Sequence, residues 1–120
     1  MTFAVEVVLK GRDFAVTESI SIPHGEPSTW DDLAVRAMLM EVLRALDRVQ
    51  NPDTWQHRSV VLHGFSWIVE TANGGVILAI EIPAGAVVAG PFAVGQAELD
   101  AMIGRVLRAE RATIQATTIH

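Results

Sequence analysis

The dipeptide Asn73-Gly74 constrains this chain more than any other feature of its sequence. Asn-Gly is the preferred central pair of a type I′ turn, which needs a positive φ at both positions. Long apolar runs flank the pair on both sides. We therefore predict an antiparallel hairpin in which Trp67 faces Ile80 and Val69 faces Leu78, with one nearly continuous apolar face directed at the core.

The opposite face of this hairpin carries a mixture of apolar and acidic side chains that suits partial exposure to solvent. Its members are Ser66, Ile68, Glu70, Ile77, Ala79 and Glu81. Glu81 faces Ser66, four residues from Glu70, so the two carboxyl groups start about 13 Å apart by strand rise. That separation exceeds the working distance of the paired carboxylates in glycoside hydrolases, so we expect no such site here.

The first residues predict a second hairpin, because apolar side chains alternate there with smaller or polar ones. We predict that Gly11-Arg12 is the central pair of a II′ turn, in which glycine takes the positive φ and Leu9 faces Phe14. The same register sets Glu18 opposite Val5. Glu18 is then a carboxylate on an otherwise apolar stripe.

The sequence also predicts two amphipathic helices. Ser28 followed by Asp31 resembles a capping box and starts the first helix, which Asn51-Pro52 ends after Gln50. A further short strand at residues 86–89 and a loop at residues 90–95 precede the second helix. The buried arcs consist of Val35, Met38, Leu39, Val42, Leu46 and Val49 in the first helix and of Leu99, Met102, Ile103, Val106 and Leu107 in the second.

These elements predict a two-layer α+β fold of order ββαβββα, with a mainly antiparallel sheet and two helices packed on one of its faces. Residues 112–120 leave open one further C-terminal strand, an arm or a frayed end. The 120 residues suit a single domain, residues 1–120. The apolar segment 74–97 is not a membrane span, because an acid, two prolines and several glycines would interrupt a helix there.

Composition excludes several classes of function. The net charge of -5 and the lack of any cluster of Lys and Arg predict no nucleic-acid partner. The chain has no cysteine, and its glycines match neither the Walker nor the dinucleotide spacing, so we expect no cofactor. The first ten residues lack a basic n-region, and Glu6 interrupts their apolar run, so we expect a cytoplasmic protein without a membrane partner. Arginine dominates the basic residues, a bias that we associate with bacterial GC-rich coding.

Three residues are candidates for a chemical site. His63 shares a predicted strand face with Trp67, and a histidine at the core edge with one satisfied nitrogen would explain it structurally. If Glu18 reaches His63, the two become catalytic candidates, with Trp67 and His63 lining a ligand pocket between helix and sheet. His57 and His63 would lie about 20 Å apart along a strand, so we expect no metal site.

A second apolar line on the first helix is not explained by the core. Leu33, Ala37 and Met40 recur at i, i+4 and i+7 and project among charged residues. We predict that they form the interface of a homodimer, and a further protein partner is compatible with this interpretation. Two hypotheses on function follow. One is a non-catalytic interaction module that self-associates, and the other is a small enzyme or ligand-binding domain that uses His63 and Glu18.

Overall fold

Five strands and two long helices follow one another in the order ββαβββα in a computed structural model, which describes residues 1–118. The predicted order is confirmed. Two short 3₁₀ turns, Pro27–Thr29 and Trp55–His57, precede and follow the first helix. The strands are β1 (Thr2–Leu9), β2 (Ala15–Ser21), β3 (Ser66–Ala72), β4 (Gly75–Ile82) and β5 (Gly85–Phe92), and the helices are α1 (Asp32–Gln50) and α2 (Gln96–Thr118).

The strands form one antiparallel sheet of order β2-β1-β5-β4-β3. α1 packs against β1, β2 and β5, while α2 packs against β3 and against α1. Along β1, every second side chain is buried beneath the helices and the others are exposed. The helices therefore cover one face of the sheet, and the predicted two-layer α+β class is confirmed.

The β3–β4 hairpin has the predicted turn and register. Trp67 pairs with Ile80, and Val69 pairs with Leu78. The two residues of Asn73-Gly74 have φ values of 52° and 79°, as a type I′ turn requires. The chemistry of this turn therefore fixes which side chains of both strands enter the core.

The β1–β2 hairpin has the predicted register but a different turn. The N–H of Arg12 donates to the carbonyl of Leu9 at 3.1 Å, so the central residues are Lys10 and Gly11, and Gly11 takes a φ of 85°. The prediction of Gly11 and Arg12 as the central pair is wrong. Because the turn closes earlier, Phe14 lies outside the strands, where it is 59% exposed, and not opposite Leu9.

The fifth strand is longer than predicted and continues to Phe92 through residues that the sequence places in a loop. One extra residue in β5 shifts its register between Val76 and Leu78, so that Ala89 and Phe92 are both buried in the core. Such a bulge tolerates Pro91, which has no N–H to contribute to the ladder. The prediction of a loop over residues 90–95 is therefore wrong for residues 90–92, which belong to β5.

The first helix begins later than predicted. Asp31 is its N-cap, and the Asp31 carboxylate accepts a hydrogen bond from the N–H of Ala34 at 2.9 Å. Ser28 lies in the preceding 3₁₀ turn, so the predicted capping box at Ser28 is wrong. The physical reason is Trp30, whose extended backbone separates the turn from the helix while its ring is buried. The end of α1 at Gln50 is confirmed.

The second helix continues through residues 112–118, so this stretch forms neither a further strand nor an arm. Residues 119 and 120, on which the same prediction falls, lie outside the described residues. No helix in the described part of the chain is long and apolar enough to cross a membrane. The apolar segment 74–97 forms β4, β5 and the start of α2, in agreement with its interpretation as strands.

One hydrophobic cluster fills the space between the sheet and the helices, and it contains most of both predicted helical arcs. Phe92 lies among its aromatic rings, with centroids 5.1 Å from Phe3 and 5.2 Å from Trp30. The Trp30 indole N–H donates to the carbonyl of Gly25 at 2.9 Å. Among the described residues, no charged or polar side chain is buried, so the candidate functional groups lie on surfaces and in grooves.

Candidate interaction surfaces

Glu18 lies on the edge strand β2, opposite Val5 as predicted, and has an ion-pair partner. Its carboxylate accepts a hydrogen bond from Nε of Arg48 at 3.1 Å. The Arg48 guanidinium also lies 5.2 Å from the centre of the Trp55 ring. The side chains of Glu18 and Arg48 are only 27% and 29% exposed. This contact joins β2, α1 and the turn after α1, so it gives Glu18 a structural role.

His63 lies in the segment that leads into β3, and its side chain is exposed. The predictions of a strand position and of a core-edge position for His63 are therefore wrong. Leu62 is buried and Gly64 takes a φ of 79°, so the chain bends here before the strand begins. His57 is exposed in a 3₁₀ turn. In residues 1–118, no three His, Asp or Glu side chains are grouped so that they could hold a metal ion.

Trp67 is half-buried on β3, and Glu18 lies on β2, at the opposite edge of the sheet. Four strand spacings of about 4.8 Å place these two positions about 19 Å apart. Within the described residues, no hydrogen bond or ion pair joins His63 to Glu18, whose partner is Arg48. The structure does not bring the three candidate residues together into one pocket.

A groove of about 740 Å³ lies at the end of the sheet where β1, β3, β4 and β5 meet. Val8 and Ala86 supply part of its apolar lining, and Lys10 and Glu81 supply charged groups. His63 and Trp67, the two predicted pocket residues, do not line this groove. It is continuous with the sheet face that the helices leave uncovered, because Val8 and Glu81 belong to that face.

The predicted interface residues lie on the side of α1 that faces away from the sheet. Leu33 is 72% exposed, which makes it the most exposed large apolar side chain in residues 1–113. Ala37 and Met40 are half-buried, and Met40 also contacts the edge of the core. We call Leu33, Ala37 and Met40 the α1 line.

Paired charges border the α1 line. On the side of α2, Nε of Arg36 donates to Glu110 at 2.6 Å, and Arg105 donates to the Asp32 carboxylate at 3.0 Å. The hydrogen bond from Arg105 lowers the pKa of Asp32 below its ordinary value. On the other side, Glu41 pairs with Arg44 one turn along the helix. The α1 line is thus an apolar strip between two rows of compensated charges.

The uncovered face of the sheet carries a second apolar surface, which we call the apolar patch. Its most exposed members are Ile68 at 52% and Val8 at 44%. The strand pairing makes the patch contiguous, because neighbouring strands place its side chains next to one another. The apolar patch consists of Val8, Ile68, Ile77, Ala79, Ala86 and Val88.

The sequence identifies only the half of this patch that belongs to the β3–β4 hairpin. It does not show that Val8 and Val88 join Ile68, because the pairing of β1 with β5 connects segments that are far apart in the chain. The alternation within β1 is a signal for Val8, since the even-numbered residues of that strand face away from the core.

Comparisons with known proteins return no relative on which a function could be based. No protein-family model matches the chain, and searches of curated proteins and of solved structures give no significant match.

Proposed function

We propose that this chain is a non-catalytic, single-domain interaction module that forms a homodimer through the α1 line. The observation that carries the proposal is the exposure of Leu33, 72% of whose surface is free on the helix side facing away from the sheet. An apolar side chain of this size gains about 1.5–3 kcal/mol when it is fully buried. A second copy of α1 would supply that burial, since twofold pairing is the commonest closed form of self-association.

The spacing along α1 supports pairing of one α1 with another. Leu33, Ala37 and Met40 are spaced by four and then three residues, the period with which two helices pack along a common seam. Small Ala37 lies in the middle and permits close approach of the backbones. In a parallel pair, Arg36 would come opposite Glu41 of the second copy, the arrangement in which flanking charges stabilise such pairs. The apolar strip and its borders are therefore self-complementary.

The experiment is sedimentation equilibrium on the wild type and on the double variant Leu33→Glu, Met40→Glu. We expect a wild-type mass of twice the 13.0 kDa of one chain. The double variant is expected to sediment as a single chain, because a carboxylate cannot be buried unpaired at the seam. Circular dichroism verifies that both proteins are folded.

A matched control places two carboxylates elsewhere on the surface. Phe14 and Val61 are 59% and 52% exposed and lie outside both α1 and the strands. Phe14→Glu with Val61→Glu makes the same change in net charge, and we expect it to leave the dimer intact. A wild type that sediments as one chain at micromolar concentration refutes the dimer, and a double variant that stays dimeric refutes the α1 line as its interface.

The proposal includes a bacterial, cytoplasmic setting, which the sequence supports. Arginine supplies nearly all of the chain's Lys and Arg side chains, the bias that we associate with bacterial GC-rich coding. A module of this kind acts through what it binds, so its surfaces define its function.

A further inference from the structure

We propose that the apolar patch on the uncovered sheet face binds a basic amphipathic helix of a partner protein. This inference is independent of the α1 line, which lies on the other side of the molecule. Helices already cover one face of the sheet, and three-layer folds cover the second face of a sheet with helices in the same way. A docked helix would complete a third layer.

The patch is a row of neighbouring side chains across four strands. Val88 of β5 pairs with Glu6 of β1 on one side and with Ala79 of β4 on the other, and Ala79 pairs with Ile68 of β3. Val8 pairs with Ala86 one step further along. The small alanines lie between larger side chains, so the surface has a shallow trough that suits a helix.

All charged side chains that the strands themselves contribute around the patch are acidic. Glu6, Glu70 and Glu81 border it and are exposed. The five strands contain no lysine, arginine or histidine, and their fourth acid, Glu18, is paired with Arg48 on the helix side. The uncovered face is thus an apolar surface bordered by three carboxylates that have no ion-pair partner among the described residues, and the one nearby cation is Lys10, which follows β1 and lines the same groove as Glu81. A partner with Lys or Arg on both sides of an apolar stripe complements it.

The same charges disfavour other occupants. Two copies of this face packed together would bring six of these carboxylates into one interface, where like charges repel. Anionic lipid headgroups and nucleic-acid phosphates are also repelled by an acidic face. The charge pattern therefore selects a basic protein segment.

The dimensions fit a helix of ordinary length. A strand of eight residues spans about 26 Å, the length of a helix of about 18 residues, and the apolar patch extends over about half of that span, about 13 Å along the strand direction. The groove of about 740 Å³ lies at one end of the patch and shares Val8, Ala86 and Glu81 with it. This groove offers space for a large side chain of the partner near the Glu81 carboxylate, and Lys10 also lines it.

The experiment measures fluorescence anisotropy of a labelled synthetic peptide of about 18 residues, designed as an amphipathic helix with leucines on one stripe and lysines beside it. We expect the wild type to bind the peptide and the affinity to fall as salt is raised. Glu6→Gln, Glu70→Gln and Glu81→Gln combined should weaken binding about tenfold, the sum of three partly exposed ion pairs. Ile68→Ser should weaken it about fivefold through lost apolar contact.

The matched control neutralises three exposed acids outside the strands. Glu26→Gln, Asp53→Asn and Asp100→Asn make the same change in net charge, and we expect them to leave the affinity unchanged. Equal weakening by both triple variants would show attraction to net charge alone and would overturn the proposal. Equal binding of a peptide with glutamates in place of lysines, or no binding of the lysine peptide, would also overturn it.

Sedimentation distinguishes this proposal from self-association. If Ile68→Ser dissociates the protein's own dimer, a second copy covers the sheet face, and the proposal is refuted. If Leu33→Glu with Met40→Glu dissociates the dimer while the peptide still binds, both proposals hold. If the wild type sediments as a single chain but still binds the peptide, only the proposal of a dimer through the α1 line is refuted.

Discussion

At Gly85 the backbones of β5 and β1 approach so closely that there is no room for a side chain. A Cβ built at this position would lie 2.3 Å from the carbonyl oxygen of Val8. We expect Gly85→Ala to lower the free energy of unfolding by about 1–3 kcal/mol, because backbone atoms must shift to relieve the overlap. The measurement is urea denaturation, with Gly25→Ala as the control, since a Cβ there meets only Thr29 Oγ1 at 3.6 Å. Equal stabilities of the two variants would contradict the close approach.

Arg48 is the residue that holds the turn after α1 against β2. It donates to Glu18 and stacks on Trp55, and both contacts are largely shielded from solvent. We expect a double-mutant cycle with Glu18→Gln and Arg48→Gln to give a coupling energy of about 1 kcal/mol, since the pair is partly buried. Thermal or urea unfolding of the four proteins provides the measurement. A coupling energy indistinguishable from zero would mean that the ion pair with Arg48 does not stabilise the fold, and that it does not account for a carboxylate among the apolar side chains of β2.

Between the two helices, one ion pair should give the stability a dependence on pH. The pKa of Asp32 lies below its ordinary 3.8 because Arg105 donates hydrogen bonds to the ionised carboxylate. A group whose folded pKa is lowered contributes stability that is present above its unfolded pKa and is lost as pH falls through its folded pKa. We expect Asp32→Asn to destabilise the protein at neutral pH and to have progressively less effect below the ordinary carboxyl value.

The control for this pH dependence is the same substitution in an Arg105→Gln background. There the hydrogen bond that lowers the pKa of Asp32 is absent, so the pH dependence of the Asp32→Asn effect should shrink. Urea denaturation from about pH 2 to about pH 7 covers the relevant window. Because both side chains are exposed, added salt should reduce the difference further. An effect of Asp32→Asn that is independent of pH would show that the ion pair contributes nothing to stability.

Elements whose geometry depends on local chemistry could be predicted from the sequence. The β3–β4 hairpin follows from Asn73-Gly74, and the buried faces of both helices follow from their periodicity. Elements whose geometry depends on distant contacts could not. Trp30 separates the 3₁₀ turn from α1 because its ring is buried beside Phe92, and β5 passes Pro91 by means of a bulge against β4.

The candidate sites divide in the same way. The α1 line could be found from helix periodicity alone, because it lies within one element. The apolar patch needs the pairing of β1 with β5, which no local signal provides. Whether His63 and Glu18 meet depends on the path of residues 58–65 and on which strands form the edges of the sheet. The spacing of apolar residues within one strand or helix does not predict which distant segments of the chain lie next to each other.

At the scale of the whole molecule, charge is separated by layer. Arginines and acids alternate on α1 and α2 and largely pair with one another, whereas the strands carry only acids. The helix layer thus presents a compensated surface with an apolar strip, and the sheet presents an uncompensated one. The first suits an identical copy, and the second suits a partner of opposite charge.

This arrangement predicts that dimerisation and peptide binding are independent. The α1 line and the apolar patch are separated by the thickness of α1 and of the sheet, and no described residue belongs to both. Changes at sites so far apart usually add within a few tenths of a kcal/mol, which corresponds to about a twofold difference in affinity. We expect the lysine peptide to bind with one copy per chain, two per dimer, and with the same dissociation constant, within about twofold, for the Leu33→Glu, Met40→Glu variant. Isothermal titration calorimetry gives both quantities. A stoichiometry of one peptide per dimer would place the peptide on the twofold axis, on the α1 side, and would contradict the assignment of the two surfaces to two different partners.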